Sequence, residues 1–171
     1  MKLFHGTQLE FAKFDAEQLG NGNQQEGAGF YLTDCRNDAW KYSQKRNGFG
    51  IIYHVEFKPK GKIIGQKARA TRQLIKSLIT FADNWEERLQ QMYGNDVAVE
   101  LSLKAHVTDI MSNIWLHPAI QKIFSEFYAT EAEFMRAMVA HGFSGLRVKK
   151  INAVHYVCYD SAELEIVGRA E

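Results

Sequence analysis

Two histidines and two tyrosines are the residues whose types and settings could carry chemistry: His5 within Leu3-Phe4-His5-Gly6-Thr7, Tyr31 and Tyr42 eleven positions apart, and His155 in a late apolar run. Histidine changes charge near neutral pH, so either one could accept, donate or carry a proton. Taken singly, each has a plainer explanation. A strand histidine is more often packed and hydrogen-bonded than catalytic, and tyrosines are ordinary amphipathic core residues. Cys35 and Cys158 stand far apart with no Cys-x-x-Cys or Cys/His ligand spacing. They indicate neither a metal site nor a disulfide framework and read as small buried side chains in a reducing cytoplasm.

The elements that must position these residues follow from periodicity. Residues 2–5 read as a short strand closing at Gly6-Thr7, and 8–28 lack a helical period, with Gly20-Asn21-Gly22-Asn23-Gln24-Gln25 a loop on composition. Residues 29–33 read as a strand and 34–45 as a helix capped by Asp34 or Asn37. The β-branched and aromatic run 50–57 is the clearest strand, with Pro59-Lys60-Gly61-Lys62 as its turn-rich exit.

From 68 to 142 the pattern is helical. Leu74, Leu78, Phe81, Trp85, Leu89 and Met92 recur every three or four residues, which predicts one long amphipathic helix ended by Gly94 and Asn95. A second helix is expected over 97–115, a third opening with Pro118 at its first position, and a fourth behind the capping box Thr130-x-x-Glu133, stopping at Gly142. These apolar stripes are packing signals and need no nucleotide to explain them. Strands return at 144–148, 153–159 and 164–167. The expected fold class is therefore α+β, a β-rich frame contributed by both chain ends with a helical insertion between.

The chain has 171 residues, 46% of them hydrophobic and 24% charged, with two prolines, which suits one globular domain rather than a disordered or fibrous chain. The N-terminus lacks an apolar run of signal-peptide length, and no segment approaches the ~18 apolar residues of a membrane span, so a soluble protein without a membrane partner is expected. The net charge of +1 hides an asymmetry. Residues 36–76 hold eleven Lys or Arg against two acids, which fits either an anionic partner or a solvated basic face.

Taken together, the chemical residues match a pattern. Leu3-Phe4-His5-Gly6-Thr7, then Gly27-x-Gly29-Phe30-Tyr31-Leu32-Thr33-Asp34, then Asp38-Ala39-Trp40-Lys41-Tyr42 resembles the first half of the ADP-ribosyltransferase fold, in the His-Tyr-Glu branch shared by diphtheria-like toxins, poly(ADP-ribose) polymerases and small bacterial and phage transferase domains. The eleven-residue tyrosine spacing is that of the branch. Phe143-Ser144-Gly145-Leu146-Arg147 followed by His155-Tyr156-Val157-Cys158-Tyr159-Asp160 resembles its penultimate strands. The likeness covers residues 1–64 and 143–168 and leaves the helical insertion at 66–142 unmatched. Three blocks in the right order with the right internal spacing are more specific than His-Gly-Thr by itself.

The resemblance implies a single-domain, split-sheet ADP-ribosyltransferase-like core with NAD as co-substrate. In it Gly6 would offer backbone N–H and C=O to the nicotinamide carboxamide, where lack of a side chain permits close approach. Tyr31 and Tyr42 would sandwich the ring, and His5, with Thr7 nearby, would hydrogen-bond a ribose hydroxyl. Ala39 stands where many relatives carry serine, and His155 stands at the catalytic glutamate position. There a neutral imidazole would accept one hydrogen bond, whereas an imidazolium would oppose the positive charge developing on the ribose. Glu26 is the best local substitute acid, although a loop carboxylate reads first as solvated.

The implied function is mono-ADP-ribosylation of a macromolecule, or simple NAD hydrolysis, by a cytoplasmic bacterial or phage effector or toxin, with an antitoxin or inhibitor as a further partner. Lys62, Lys67, Arg69, Arg72 and Lys76 make nucleic acid a candidate acceptor beside protein. The alternative is a degenerate fold that binds a nucleotide or partner without turnover, for which His155 is the chief support.

Overall fold

The computed structural model describes residues 1–19, 26–44 and 50–170. The loop expected at 20–25 and the helix end expected at Lys45 lie outside them. Both chain ends supply strands to one seven-stranded mixed sheet. They are β1 (Lys2–Thr7), β2 (Phe30–Thr33), β3 (Ile51–Phe57), β4 (Lys62–Gly65), β5 (Phe143–Lys149), β6 (Val154–Cys158) and β7 (Leu164–Arg169), in the order β4-β5-β6-β2-β1-β3-β7. Neighbours are antiparallel except β4 and β5, which run parallel. β4 starts at Lys62, the last residue of the expected exit turn, and runs on through 63–65, where the sequence pattern predicts no element. Its β-branched pair Ile63-Ile64 is too short to show alternation, and pairing with β5 completes it as a strand; the turn leading into it is tied down by Glu163, which accepts from Lys60 N–H and from the Ser144 hydroxyl, each at 2.8 Å.

The ladders are uneven. β1 pairs with β3 from Lys2 opposite Glu56 to Thr7 opposite Ile51, and β2 with β6 from Phe30 opposite Cys158 to Thr33 opposite His155. Between β1 and β2, among the described residues, the register is Phe4 opposite Thr33 alone. Beyond it the strands part, so the sheet consists of two halves hinged at one pair.

Helix α1 (Arg36–Ser43) covers β1. Its N-cap is Cys35, whose side chain makes no capping bond. Asp34, an expected cap, instead takes Val154 N–H at 2.7 Å and ties the start of α1 to β6, while Thr33 Oγ1 accepts from Cys35 N–H at 3.2 Å.

The insertion forms five helices: α2 (Arg72–Phe81), α3 (Trp85–Tyr93), α4 (Val99–Ile110), α5 (Leu116–Phe127) and α6 (Glu131–Ala140). The long helix expected across Leu74 to Met92 is thus two. Ala82 takes extended backbone (φ −71°, ψ 136°), and Asp83-Asn84, which favour turns and caps, separate the pieces. The break lets Leu78, Ile79 and Leu89 all be buried while Phe81 and Met92 face outward. Each such buried aliphatic side chain contributes about 1.5–3 kcal/mol of hydrophobic stabilisation. Pro118 is the third residue of α5, not the first, still within the turn whose N–H groups lack helical acceptors. The Thr130–Glu133 capping box opens α6 with both arms formed.

Backbone bonds near β4 and a ring contact help to seat the insertion on the frame. Leu116 N–H donates to Ala68 O (2.8 Å) and Ala70 N–H to Ile114 O (3.0 Å), lacing the start of α5 to the segment after β4, and Phe134 of α6 meets Tyr159 edge-on at 6.2 Å. Among the described residues no helix is long and apolar enough to cross a membrane.

Candidate active site

Where β1 and β2 part, a cleft of about 70 Å³ opens, lined by Phe4, His5, Gly6, Tyr31, Leu32, Thr33, Ala39, Tyr42 and His155. Strand alternation decides what its floor offers. Met1 and Phe57 exchange hydrogen bonds in both directions (2.6 and 2.8 Å). In an antiparallel ladder bonded pairs alternate, so Leu3, His5 and Thr7 bond β3, and the N–H and C=O groups of Lys2, Phe4 and Gly6 point the other way, toward β2. Ile52, opposite Gly6, accordingly gives its carbonyl to Ala170 N–H of the segment beyond β7 (2.8 Å). The register to β2 ends at Phe4. Gly6 therefore turns one amide donor and one acceptor into the opening.

Glycine is also required there for packing. A Cβ at Gly6 would lie 1.8 Å from the carbonyl oxygen of Ala39, so α1 sits directly on β1 only because residue 6 has no side chain. Gly29 does similar work at the head of β2: its φ is +142°, and a Cβ would stand 2.5 Å from Val157 Cγ1.

At one end of the cleft His5 Nδ1 lies 2.8 Å from the carbonyl of Tyr31. A carbonyl only accepts, so Nδ1 carries the proton and Nε2 is left as an acceptor. The ring meets Phe11 (5.6 Å) and Phe14 (5.1 Å) edge-on, and Phe11 N–H donates to the Tyr53 hydroxyl at 3.0 Å. Burial pushes the His5 pKa below its ordinary value, outweighing the bond to Tyr31, and keeps the ring neutral. The Tyr31 hydroxyl donates to Gly27 O (2.6 Å) and accepts from Glu26 N–H (3.0 Å), so its ring borders the cleft while its oxygen anchors the preceding loop.

The other end is charged. His155 Nδ1 lies 3.1 and 3.3 Å from the two oxygens of Glu26, and Nε2 lies 2.5 Å from Asp38 Oδ2. Lys150 pairs with the same Glu26 carboxylate. Two ionised carboxylates can only accept, so both ring nitrogens donate and His155 is an imidazolium. The bond to Glu26 pushes its pKa up, burial opposes, and Asp38 adds to the rise. Burial pushes the Glu26 carboxyl up, but the bonds from His155 and Lys150 outweigh it and hold it below its usual range. The Tyr42 ring stands edge-on to His155 at 5.9 Å, its hydroxyl pushed up by burial and then by Asp38 and Glu26. Two cations and two anions balance.

The cleft thus gathers His5, Gly6, Tyr31, Tyr42 and His155 from β1, β2, α1 and β6. Thr7 does not line it; its hydroxyl accepts from Leu9 N–H at 3.1 Å. Of the two charge states that the sequence allows His155, the neutral acceptor does not fit its two-carboxylate setting. Nor is Glu26 a solvated loop acid: it is 6% exposed, and its carbonyl takes His117 Nε2–H of α5 at 3.3 Å. The sequence pattern assigns no role to Lys150, and none to Asp38 beyond its place at the head of the Asp38–Tyr42 block. Their signal was adjacency, since Asp38 precedes Tyr42 by one helical turn and Lys150 lies five residues before His155.

Lys62, Lys67, Arg69, Arg72 and Lys76 are all exposed, and none of them lines the cleft. Lys62 begins β4 opposite Phe143, and Arg72 reaches Thr108 Oγ1 of α4 at 3.0 Å. Lys67 follows the other end of β4, where Gln66 donates to Lys149 O, beside the β5 end that leads to Lys150. Among the described residues no group of His, Cys, Asp and Glu could hold a metal ion. No family model, curated protein or solved structure matches this chain.

Proposed function

We propose that this chain is an NAD-consuming mono-ADP-ribosyltransferase with its active site in the cleft between β1 and β2. The observation that carries the reading is the outward-turned amide edge of Gly6, flanked by the rings of Tyr31 and Tyr42 and by a neutral His5. A carboxamide on a flat ring needs one donor, one acceptor and aromatic walls, and these residues are all of that kind. Gly6 N–H and C=O hold the carboxamide, Tyr31 and Tyr42 border the nicotinamide ring, and His5 Nε2 accepts from a ribose hydroxyl. NAD supplies an activated C1′–N bond whose electron pair leaves with nicotinamide. A rigid site then has only to hold the ring and stabilise the positive ribose as it forms.

The acceptor is a nucleic acid or protein, or water in simple hydrolysis, and one ADP-ribose is transferred rather than a chain. Lys67 and Arg69, exposed just after β4, favour an anionic acceptor. The cellular role consistent with this chemistry is a cytoplasmic bacterial or phage effector or toxin, held in check by an antitoxin or inhibitor.

The second reading is a fold that binds NAD or a partner without turnover. The observation favouring it is the His155 imidazolium, whose charge repels a developing ribosyl cation. Incubating the purified protein with NAD and measuring released nicotinamide by chromatography separates the two. Release is expected, and NAD binding without release establishes the second reading instead. With a nucleic-acid acceptor, transfer should fall steeply between about 50 and 200 mM salt, whereas hydrolysis should change little.

A further inference from the structure

His155 occupies the place where the resemblance expects a carboxylate, yet the structure brings two carboxylates to that imidazole. They are not equivalent. The Glu26 side chain is 5% exposed, both its oxygens face His155, and Lys150 closes on one of them. Nothing of it is left to meet a substrate. The Asp38 side chain is 21% exposed, bonds His155 through Oδ2 alone, and has no partner on Oδ1 among the described residues. It also stands beside Ala39, which lines the cleft, and four residues before Tyr42, which lines it too, so one face of α1 presents Asp38 and Tyr42 together.

Resting on the transferase reading above, we infer that Asp38 of α1 is the catalytic carboxylate of this site and that His155 is the residue that positions it. Asp38 supplies the negative charge that the ribose needs as its C1′–N bond breaks and the bonding pair departs with nicotinamide. A lone pair of the acceptor oxygen, from water or a macromolecular hydroxyl, then forms the new bond to C1′. The acceptor proton passes to Asp38 Oδ1 and on to solvent, so charge and atoms balance without a further reactant. Glu26 and Asp38 hold His155 in its cationic form while Lys150 pairs with Glu26, and the imidazolium, fixed from behind by Glu26, donates through Nε2 to orient Asp38. An aspartate on a helix, bonded at the cleft's edge to the strand histidine that lines it, thereby takes the place of a glutamate on the strand.

The test uses the full chain and nicotinamide release from NAD in water. Asp38→Asn preserves shape and an oxygen able to accept from His155, and Asp38→Ala places the strongest helix former in the first turn of α1, so at least one of the two should fold. Each should lower kcat by roughly 100-fold or more, in the range of a lost acid–base group, with KM for NAD within about threefold of the wild type. Added formate, a small carboxylate, should restore at least about tenfold in Asp38→Ala and nothing in the wild type. A purely structural aspartate would show no such rescue. If the wild type releases nicotinamide and both variants keep kcat within about threefold, the assignment of Asp38 is overturned while the transferase reading stands. Loss of kcat and NAD affinity together, with no response to formate, overturns it equally. If the wild type releases no nicotinamide, the transferase reading itself fails and the assignment falls with it.

Discussion

His5 and His155 both line one cleft from strands of one sheet, yet their surroundings drive them to opposite charge states. His5 is enclosed by Phe11 and Phe14 and bonded to a carbonyl, an environment that disfavours charge. His155 is enclosed by Glu26 and Asp38, an environment that requires it. The same residue type serves as a neutral acceptor at one end and as a cationic clamp at the other. What sets the role is the company that the fold assembles around each ring.

The comparison breaks most readily at the charged end. Glu26→Gln should leave His155 and Lys150 with one carboxylate between them, and removing one partner of a buried pair costs about 3–5 kcal/mol. Chemical denaturation should show the loss, and the His155 pKa followed by NMR should fall. A variant as stable as the wild type would mean that the cluster holds nothing together. His155→Glu, which a neutral-acceptor role would tolerate, would instead put a third carboxylate against Glu26 and Asp38.

A smaller effect is expected at the aromatic wall. Tyr31→Ala should cut NAD turnover by about tenfold through lost stacking, whereas Tyr31→Phe keeps the ring and forfeits only the hydroxyl bonds to Gly27 and Glu26, about 1 kcal/mol of stability. Equal turnover in the two variants would show that the ring does not touch the nicotinamide.

The smallest effect, and the sharpest contrast, is in pH. The folded pKa of His155 is raised above 6.5, so its contribution to stability is full below that pH and is lost as pH rises through the folded value. The folded pKa of His5 is lowered, so the unfolded chain takes up a proton first, and stability falls as pH drops below 6.5. Replacing His155 by Gln should therefore flatten the alkaline limb of the stability profile, and replacing His5 by Gln the acid limb. Identical profiles for the two variants would contradict the assigned charge states.

Much of the frame was legible from local pattern. The strand Ile51–Phe57, the helix after Thr33, the capping box at Thr130 and the return to strands after Gly142 all rest on residues within a turn or two of one another. The one-helix expectation for Leu74 to Met92 failed because an apolar stripe does not register whether Asp83-Asn84 interrupts the backbone while buried residues keep their spacing on either side. β4 was missed because Ile63-Ile64 is too short a run to show alternation and its ladder partner β5 lies some eighty residues along the chain.

The sequence by itself determined most of the strands and the helical character of the insertion, since periodicity, capping and turn chemistry act over a few residues, while a shared site for His5, Gly6, Tyr31 and Tyr42 was implied only by the resemblance. Tertiary structure alone decided the charge of His155, the burial of Glu26, the arrival of Asp38 and the direction of the Gly6 amide. His155 lies 129 residues from Glu26 and 117 from Asp38 in sequence. A pKa depends on burial and on charges within a few ångströms, and a backbone amide on which strand fails to pair with it, and neither distance exists until the sheet is assembled.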